Sequence, residues 1–274
     1  MLHLTPKNLL NLKHYLTRRK RALAYYSTNL KEIERWSSSK TEFSNYYYAL
    51  EDSNLEDLSS LLSLIFDVDH ENVLKYFNEV QHDTELRSHI GKYFSQKSNL
   101  EDSAIEYARR VGWYAVARIL KPKAIVETGV AQGMGSCILS LALLKNTQEG
   151  FEGRYFGTDI DPNAGGLYTP PYSNFGEIYY GDSIQSLQKF DFPIDLFIND
   201  SNHDFNYEKN EYETIKNNLG ERSVILGDNS HVSESLRNFS RANKRNYIFF
   251  REVPRNHWYP GGGIGFSFKF NTSE

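Results

Sequence analysis

With 274 residues, 39% of them hydrophobic and 24% charged, the chain has ordinary globular composition. It is long enough for one large domain or a domain with an appendage. A formal net charge of −4 removes any global reason to expect nucleic acid as partner, and the single cysteine, Cys137, excludes an internal disulfide and a multi-cysteine zinc site.

The first 21 residues hold six Lys or Arg and no acid, yet no apolar segment of a signal peptide follows them. No window approaches the ~18 apolar residues of a membrane helix, so a soluble, cytoplasmic protein is expected. The run Thr17-Arg18-Arg19-Lys20-Arg21 is read as a solvated helix face. Leucines at 9, 10, 12 and 16, and again at 55, 58, 61, 62 and 64, have the three-and-four spacing of amphipathic helices. Ser53 before Glu56 and Ser98 before Glu101 have capping-box spacing. Residues 99–120 read as one long helix stopped by Lys121-Pro122. Residues 1–104 are therefore expected to form a helical N-terminal region that serves as an acceptor lid or an oligomerisation surface. Residues 105–274 are expected to form the functional domain.

From Ala124 the pattern becomes strand, turn, helix, repeated: AIVET, RYFGTDI, EIYYGD, DLFIND and SVILGD are short β-rich runs. That alternation predicts an α/β fold, a Rossmann-like, doubly wound and mainly parallel sheet with helices on both faces. The tail, IFFREVP and then IGFSFKF, predicts an antiparallel C-terminal hairpin at the sheet edge.

The first strand runs into a loop carrying Glu127, Gly129, Gly133, Gly135 and Ser136, just beyond the carboxyl end of a strand, where open sheets bind ligands. The second strand ends at Asp159, about one βα unit on, where an acid can accept both hydroxyls of a ribose. The third ends at Asp182-Ser183, beside the place for an adenine. The fourth delivers Asp200, then His203, and the fifth delivers Asp228-Asn229. Strands four and five should be neighbours, so Asp200, Asp228 and Asn229 form an all-oxygen set suited to Mg²⁺ or Mn²⁺.

Glu127-x-Gly129, Asp159 and Asp182, in that order, resemble the class I S-adenosylmethionine-dependent methyltransferases, over about residues 105 to 270. By that likeness the Gly129–Gly135 loop holds the methionine portion of S-adenosylmethionine, Asp159 the ribose, and Asp182 and Ser183 the adenine. Asp200 with Asp228-Asn229 resembles the metal-dependent O-methyltransferases of the catechol, caffeoyl-CoA and macrolide-sugar types. There His203 stands where catechol-type enzymes carry a basic Lys. The Asp-x-x-His signature of the wider family is usually followed by Tyr-Glu; here Phe205-Asn206 follows, and Tyr207-Glu208 comes two residues later.

The likeness implies metal-assisted methylation of a hydroxyl on a small polyhydroxylated acceptor, such as a sugar of a glycan or natural product, with His203 as general base. His231 is left between ligand, substrate contact and surface residue. Trp258 and Tyr259 are candidate stacking platforms for the acceptor. Two other readings suit the fold: an NAD-dependent oxidoreductase, disfavoured by the missing Gly-x-Gly-x-x-Gly, and a non-catalytic cofactor-binding module, disfavoured by intact Asp200, His203 and Asp228.

Overall fold

The computed structural model describes residues 6–39, 47–97 and 105–269. The expected N-terminal helices form as α1 (Pro6–Tyr25), α2 (Ser27–Ser37), α3 (Asp52–Phe66), α4 (His70–Gln81) and α5 (Thr84–Lys97). In α1 and α2, Leu12, Leu16, Leu23, Leu30 and Ile33 are exposed, whereas α3 and α4 bury Leu58, Leu62, Val73 and Phe77 completely or nearly so. Among the described residues no helix is long and apolar enough to cross a membrane.

Two local expectations are corrected. Ser53 does not cap α3; the helix starts at Asp52 behind Glu51. Tertiary bonds set that start: the Glu51 N–H donates to Val253, and Asn54 Nδ2 donates to the Arg251 carbonyl. The Ser98–Glu101 box lies outside the described residues. Nor do residues 105–120 continue one long helix, because α6 spans only Arg110–Leu120. Before it, Ala108 has φ 51° and its N–H donates to Tyr48, which holds this segment as a turn. The predicted stop is present, with Lys121 left-handed after Leu120.

The sheet contains β1 (Ala124–Thr128), β2 (Arg154–Asp159), β3 (Gly176–Tyr180), β4 (Ile194–Asn199), β5 (Leu219–Asp228), β6 (Asn246–Arg251) and β7 (Gly263–Phe268), in the order β3-β2-β1-β4-β5-β7-β6. β1 to β5 pair in parallel, and β7 is antiparallel to both β5 and β6. The hairpin thus enters last strand first: β7 wedges beside β5, and β6 becomes the edge.

Period-two alternation sorts the strand residues between two faces. Ile125, Leu196, Ile198, Val224 and Leu226 join a cluster with Trp113 of α6 and Ile138 of α7 (Met134–Gln148). Val126, Phe197 and Ile225 meet Leu187 of α8 (Ser183–Leu187), Tyr212 of α9 (Phe205–Ile215) and Phe239 of α10 (Ser235–Ala242). The first cluster also contains Leu58, Leu62, Val73 and Phe77, so the N-terminal helices share the core of the sheet.

A seam ties residues 35–36 and 48–54 to residues 251–258. Trp36 meets Trp258 edge-on at 5.5 Å, Tyr48 OH donates to Glu252, Leu50 bridges Pro254, and Arg255 pairs with Asp52. Because helices and sheet share one core, Leu62→Ala should cost about 2–5 kcal/mol and lower the urea midpoint. Circular dichroism and tryptophan fluorescence should still report one coincident transition. Separate transitions would mean that the helices and the sheet unfold independently.

Candidate active site

The ladders are continued past the strand ends by Gly129 N–H to Thr158, Asp200 N–H to Thr128 and Gly181 N–H to Asp159, each 2.8 Å. These bonds align the ends of β1 to β4 at the carboxyl edge, and Asn229 N–H to Gly263 fixes the turn after β5. A cleft of ≈ 600 Å³ opens there, lined by Gly129, Ala131, Asp159, Asp182, Ser183, Asp200, His203, Tyr207 and Asn229, with Arg109 and Arg110 from the start of α6.

The loop after β1 is built around a buried carboxylate. Glu127 accepts from Tyr155 OH and, at 3.1 Å, from Ser136 Oγ, and burial raises its pKa to about 7. A Cβ on Gly135 would stand 2.1 Å from Glu127 Oε1, and one on Gly129 would stand 2.0 Å from the Asp200 carbonyl. Both glycines are there for close approach. Glu127, Gly133, Gly135 and Ser136 are buried and do not line the cleft; of the loop glycines, Gly129 does.

Asp159 faces the cleft with its carboxylate held by the N–H groups of Ala131 (2.7 Å) and Asp161 (2.9 Å). Asp182 caps α8 and accepts from Tyr207 OH at 3.1 Å. Ser183 is nearly buried and donates to Glu211. Glu211 also accepts from Asn199 and from Ser201 Oγ (2.9 Å), so one carboxylate of α9 braces the ends of β3 and β4.

Asp200, His203 and Asp228 do converge: each offers a donor atom, and these lie within 4.8 Å of one another. Asn229 turns Nδ2 toward His203, while its Oδ1 is buried, unpartnered and close to Gly262. Two carboxylates and an imidazole fit a divalent cation in donor type, and the Asn229 amide would add an oxygen on turning over. However, both Asp228 oxygens already accept from Arg109, Oδ1 from Nε and Oδ2 from Nη2 at 2.5 Å. Arg109 is buried and also reaches Glu252, through its backbone N–H (2.9 Å) and through Nη1 (3.3 Å). Burial pushes the Asp228 carboxyl up, but Arg109 outweighs it and the net direction is down. Burial and then the charge of Asp228 push the Asp200 carboxyl upward.

His203 has a partner that spacing did not reveal. Its Nδ1 lies 3.1 Å from Glu208 Oε1, and buried Glu208 also accepts from Ser233. A carboxylate only accepts, so Nδ1 carries the proton. Nε2 remains, 3.4 Å from Asn229 Nδ2 and 3.9 Å from Asp200 Oδ1.

The Tyr207-Glu208 pair therefore works as a unit, Tyr207 at the Asp182 end and Glu208 behind His203. His231 is exposed, 6.0 Å from the Phe249 ring, and is in neither cleft nor donor cluster. Trp258 and Tyr259 pack with Trp36, Tyr48 and His257 in the seam and do not line the cleft.

Burial raises the Glu211 pKa to about 7. The folded state then holds this proton more tightly than the unfolded chain, whose glutamate titrates near ~4.3. The stability it contributes is complete below that value and is lost as pH rises toward 7. Between pH 5 and 8 wild type should lose more stability in urea titrations than Glu211→Gln; parallel curves would refute this.

Residues 126–230 match a family model described as a methyltransferase domain. No curated protein matches the sequence. Among solved structures, the O-methyltransferase TomG of Streptomyces achromogenes, involved in tomaymycin synthesis and solved with S-adenosylmethionine, is 14% identical. It superposes at a TM-score of 0.53 over 81% of this chain and 100% of its own. The Podospora anserina methyltransferase PaMTH1, solved with S-adenosylhomocysteine, is 16% identical at a TM-score of 0.50, covering 73% of this chain and 95% of its own. A Geobacter sulfurreducens methyltransferase is 15% identical at 0.51, covering 74% and 98%. At these identities the likeness is one of fold. The family match adds that residues 126–230, which carry the acids at the strand ends, form a methyltransferase domain.

Proposed function

We propose that the protein is an O-methyltransferase acting on a hydroxyl of a small polyhydroxylated acceptor, a sugar being the kind we favour. The observation that carries this reading is the Glu208–His203 dyad at the end of β4, with Nε2 turned away from its carboxylate partner and beside Asp200. The acceptor hydroxyl gives its proton to His203 Nε2 while its oxygen attacks the sulfonium methyl. The carbon–sulfur bond breaks, its electron pair stays on sulfur, and S-adenosylhomocysteine leaves. Glu208 fixes the ring tautomer and offsets the imidazolium charge, as a carboxylate does behind a catalytic histidine. Asp159 is assigned to the ribose, and Asp182 and Ser183 to the adenine edge.

Divalent metal assistance belongs to the same proposal. Asp200, Asp228 and Asn229 would hold Mg²⁺ or Mn²⁺, which lowers the pKa of a bound hydroxyl. Arg109 would then remain paired with Glu252. Its grip on Asp228 favours a second reading, in which the guanidinium itself neutralises this carboxylate and turnover needs no metal. For a self-associating form, the exposed apolar residues of α1 and α2 are the surface we favour.

Two measurements test these assignments. His203→Ala should lower kcat by about 10²–10⁴ and remove an ionisation from its pH profile, with cofactor affinity intact. Glu208→Gln should cause a smaller loss, and an unchanged profile in the first variant would pass the proton to water. Second, excess EDTA should abolish turnover and Mg²⁺ or Mn²⁺ should restore it; full turnover in EDTA selects the metal-free reading. Asp200→Asn is the variant for this question, because Asp228→Ala strands a buried guanidinium and should cost about 3–5 kcal/mol of stability.

A further inference from the structure

The helices α1 and α2 carry an exposed stripe with a period of its own. Leu12, Leu16, Arg19, Leu23, Tyr26, Leu30 and Ile33 follow one another at spacings of four and three residues, and the apolar ones are 40–61% exposed. That alternation repeats every ~3.5 residues, the period of a coiled-coil seam, and it is sustained here for about three heptads. The junction between the helices does not interrupt it. Tyr26 N–H donates to the Leu23 carbonyl at 3.2 Å and Leu30 N–H to the Tyr26 carbonyl at 3.0 Å, so helical bonding runs through with one tightened turn. Other residues fix α2 to the body of the protein: Trp36 packs on Trp258, and Arg35 donates to the Asn256 carbonyl.

Period and charge together select a second copy of this chain as the partner. α1 carries six Lys or Arg and no acid, whereas α2 carries Glu32 and Glu34. Parallel pairing would lay α1 on α1 and set Arg19 against Arg19 in the seam, like charges at close range. Antiparallel pairing lays α1 on the α2 of the second copy. The stripe then matches itself about Arg21: Leu12 meets Leu30, Leu16 meets Tyr26, and Arg19 meets Leu23. From Pro6 to Ser37 the helices run about 48 Å, and a face ~10–12 Å wide along them covers on the order of 500 Å² of each copy. That lies just under the ~600 Å² per partner at which stable interfaces begin, so the pairing depends on concentration. A lipid surface is the poorer match, because an interfacial helix needs a broad apolar face without Arg19 in its middle.

We propose that the α1–α2 runs of two copies pair as an antiparallel coiled coil and so make the protein a dimer. The inference deepens the choice of α1 and α2 as the self-association surface and is independent of the chemistry in the cleft.

Sedimentation of the full chain from about 1 to 200 µM should show monomer passing to dimer. Leu16→Asp, at an exposed position, should weaken the dimer at least ~100-fold by placing a charge in the seam. Oxidative cross-linking reads the register. Leu12→Cys mixed with Leu30→Cys should give a covalent pair containing one of each, and neither variant should link to itself; the native Cys137 is buried and takes no part. Self-linking of Leu12→Cys overturns the antiparallel pairing and leaves α1 and α2 as the surface. A dimer indifferent to Leu16→Asp, or a monomer at every concentration, overturns both. A monomer that sediments with phosphatidylserine vesicles gives the stripe to a lipid surface instead.

Discussion

The buried contact between Arg109 and the carboxylates of Asp228 and Glu252 organises this molecule. Arg109 arrives from the segment entering α6, Asp228 from the end of β5, and Glu252 from the chain just after β6. An arginine this deeply buried must be matched by acceptors or it costs more than the fold can spare. Matching it joins three parts of the chain at the carboxyl edge of the sheet. Glu252 extends the junction, accepting also from Tyr48 OH (3.1 Å) and the Gly262 N–H (3.0 Å). The site and the seam are thus one hydrogen-bonded system, and the catalytic edge is stiffened from its back.

A second carboxylate pair stiffens it from the other face. Glu208 and Glu211, one turn apart on α9, are both buried and both face strand ends: Glu208 grips His203, and Glu211 grips Ser183, Asn199 and Ser201. The turns after β3 and β4 therefore hang from the same short helix. A shift of α9 moves His203 and Ser183 together, which keeps their separation constant.

The sheet was legible in the sequence because its strands are buried on two faces and read as compact β-rich runs between glycines. Their carboxyl-end acids followed from the same pattern, since each run stops where its ligand-facing turn begins. What escaped was everything whose meaning lies in a distant partner. Arg109 and Asp228 are 119 positions apart, and Arg109 and Glu252 are 143 apart, so no local period announces them. Two arginines inside the apolar stretch YARRVGWYAVA were the available hint, as a charge in a buried segment requires a partner. The capping box at Ser53 failed for the same reason: bonds to residues 251–253 override a local signal. Glu208 was visible as part of a displaced Tyr-Glu, but its grip on His203 needed coordinates.

The seam that joins residues 35–36 and 48–54 to residues 251–258 carries a consequence for biosynthesis. Its contacts join positions roughly 200 residues apart, among them Tyr48 to Glu252 and Asn54 to Arg251. As the chain leaves the ribosome, the early helices form long before their partners exist. Glu51 and Asn54 wait on water for bonds that only the late strands supply, and Arg109 emerges with neither carboxylate yet made. Closure is consequently a terminal event: the sheet must be complete through β6 before the buried arginine has its counterions. Ribosome-stalled chains ending before residue 252 would hold the helices and most strands, yet lack the junction that turns them into a single body.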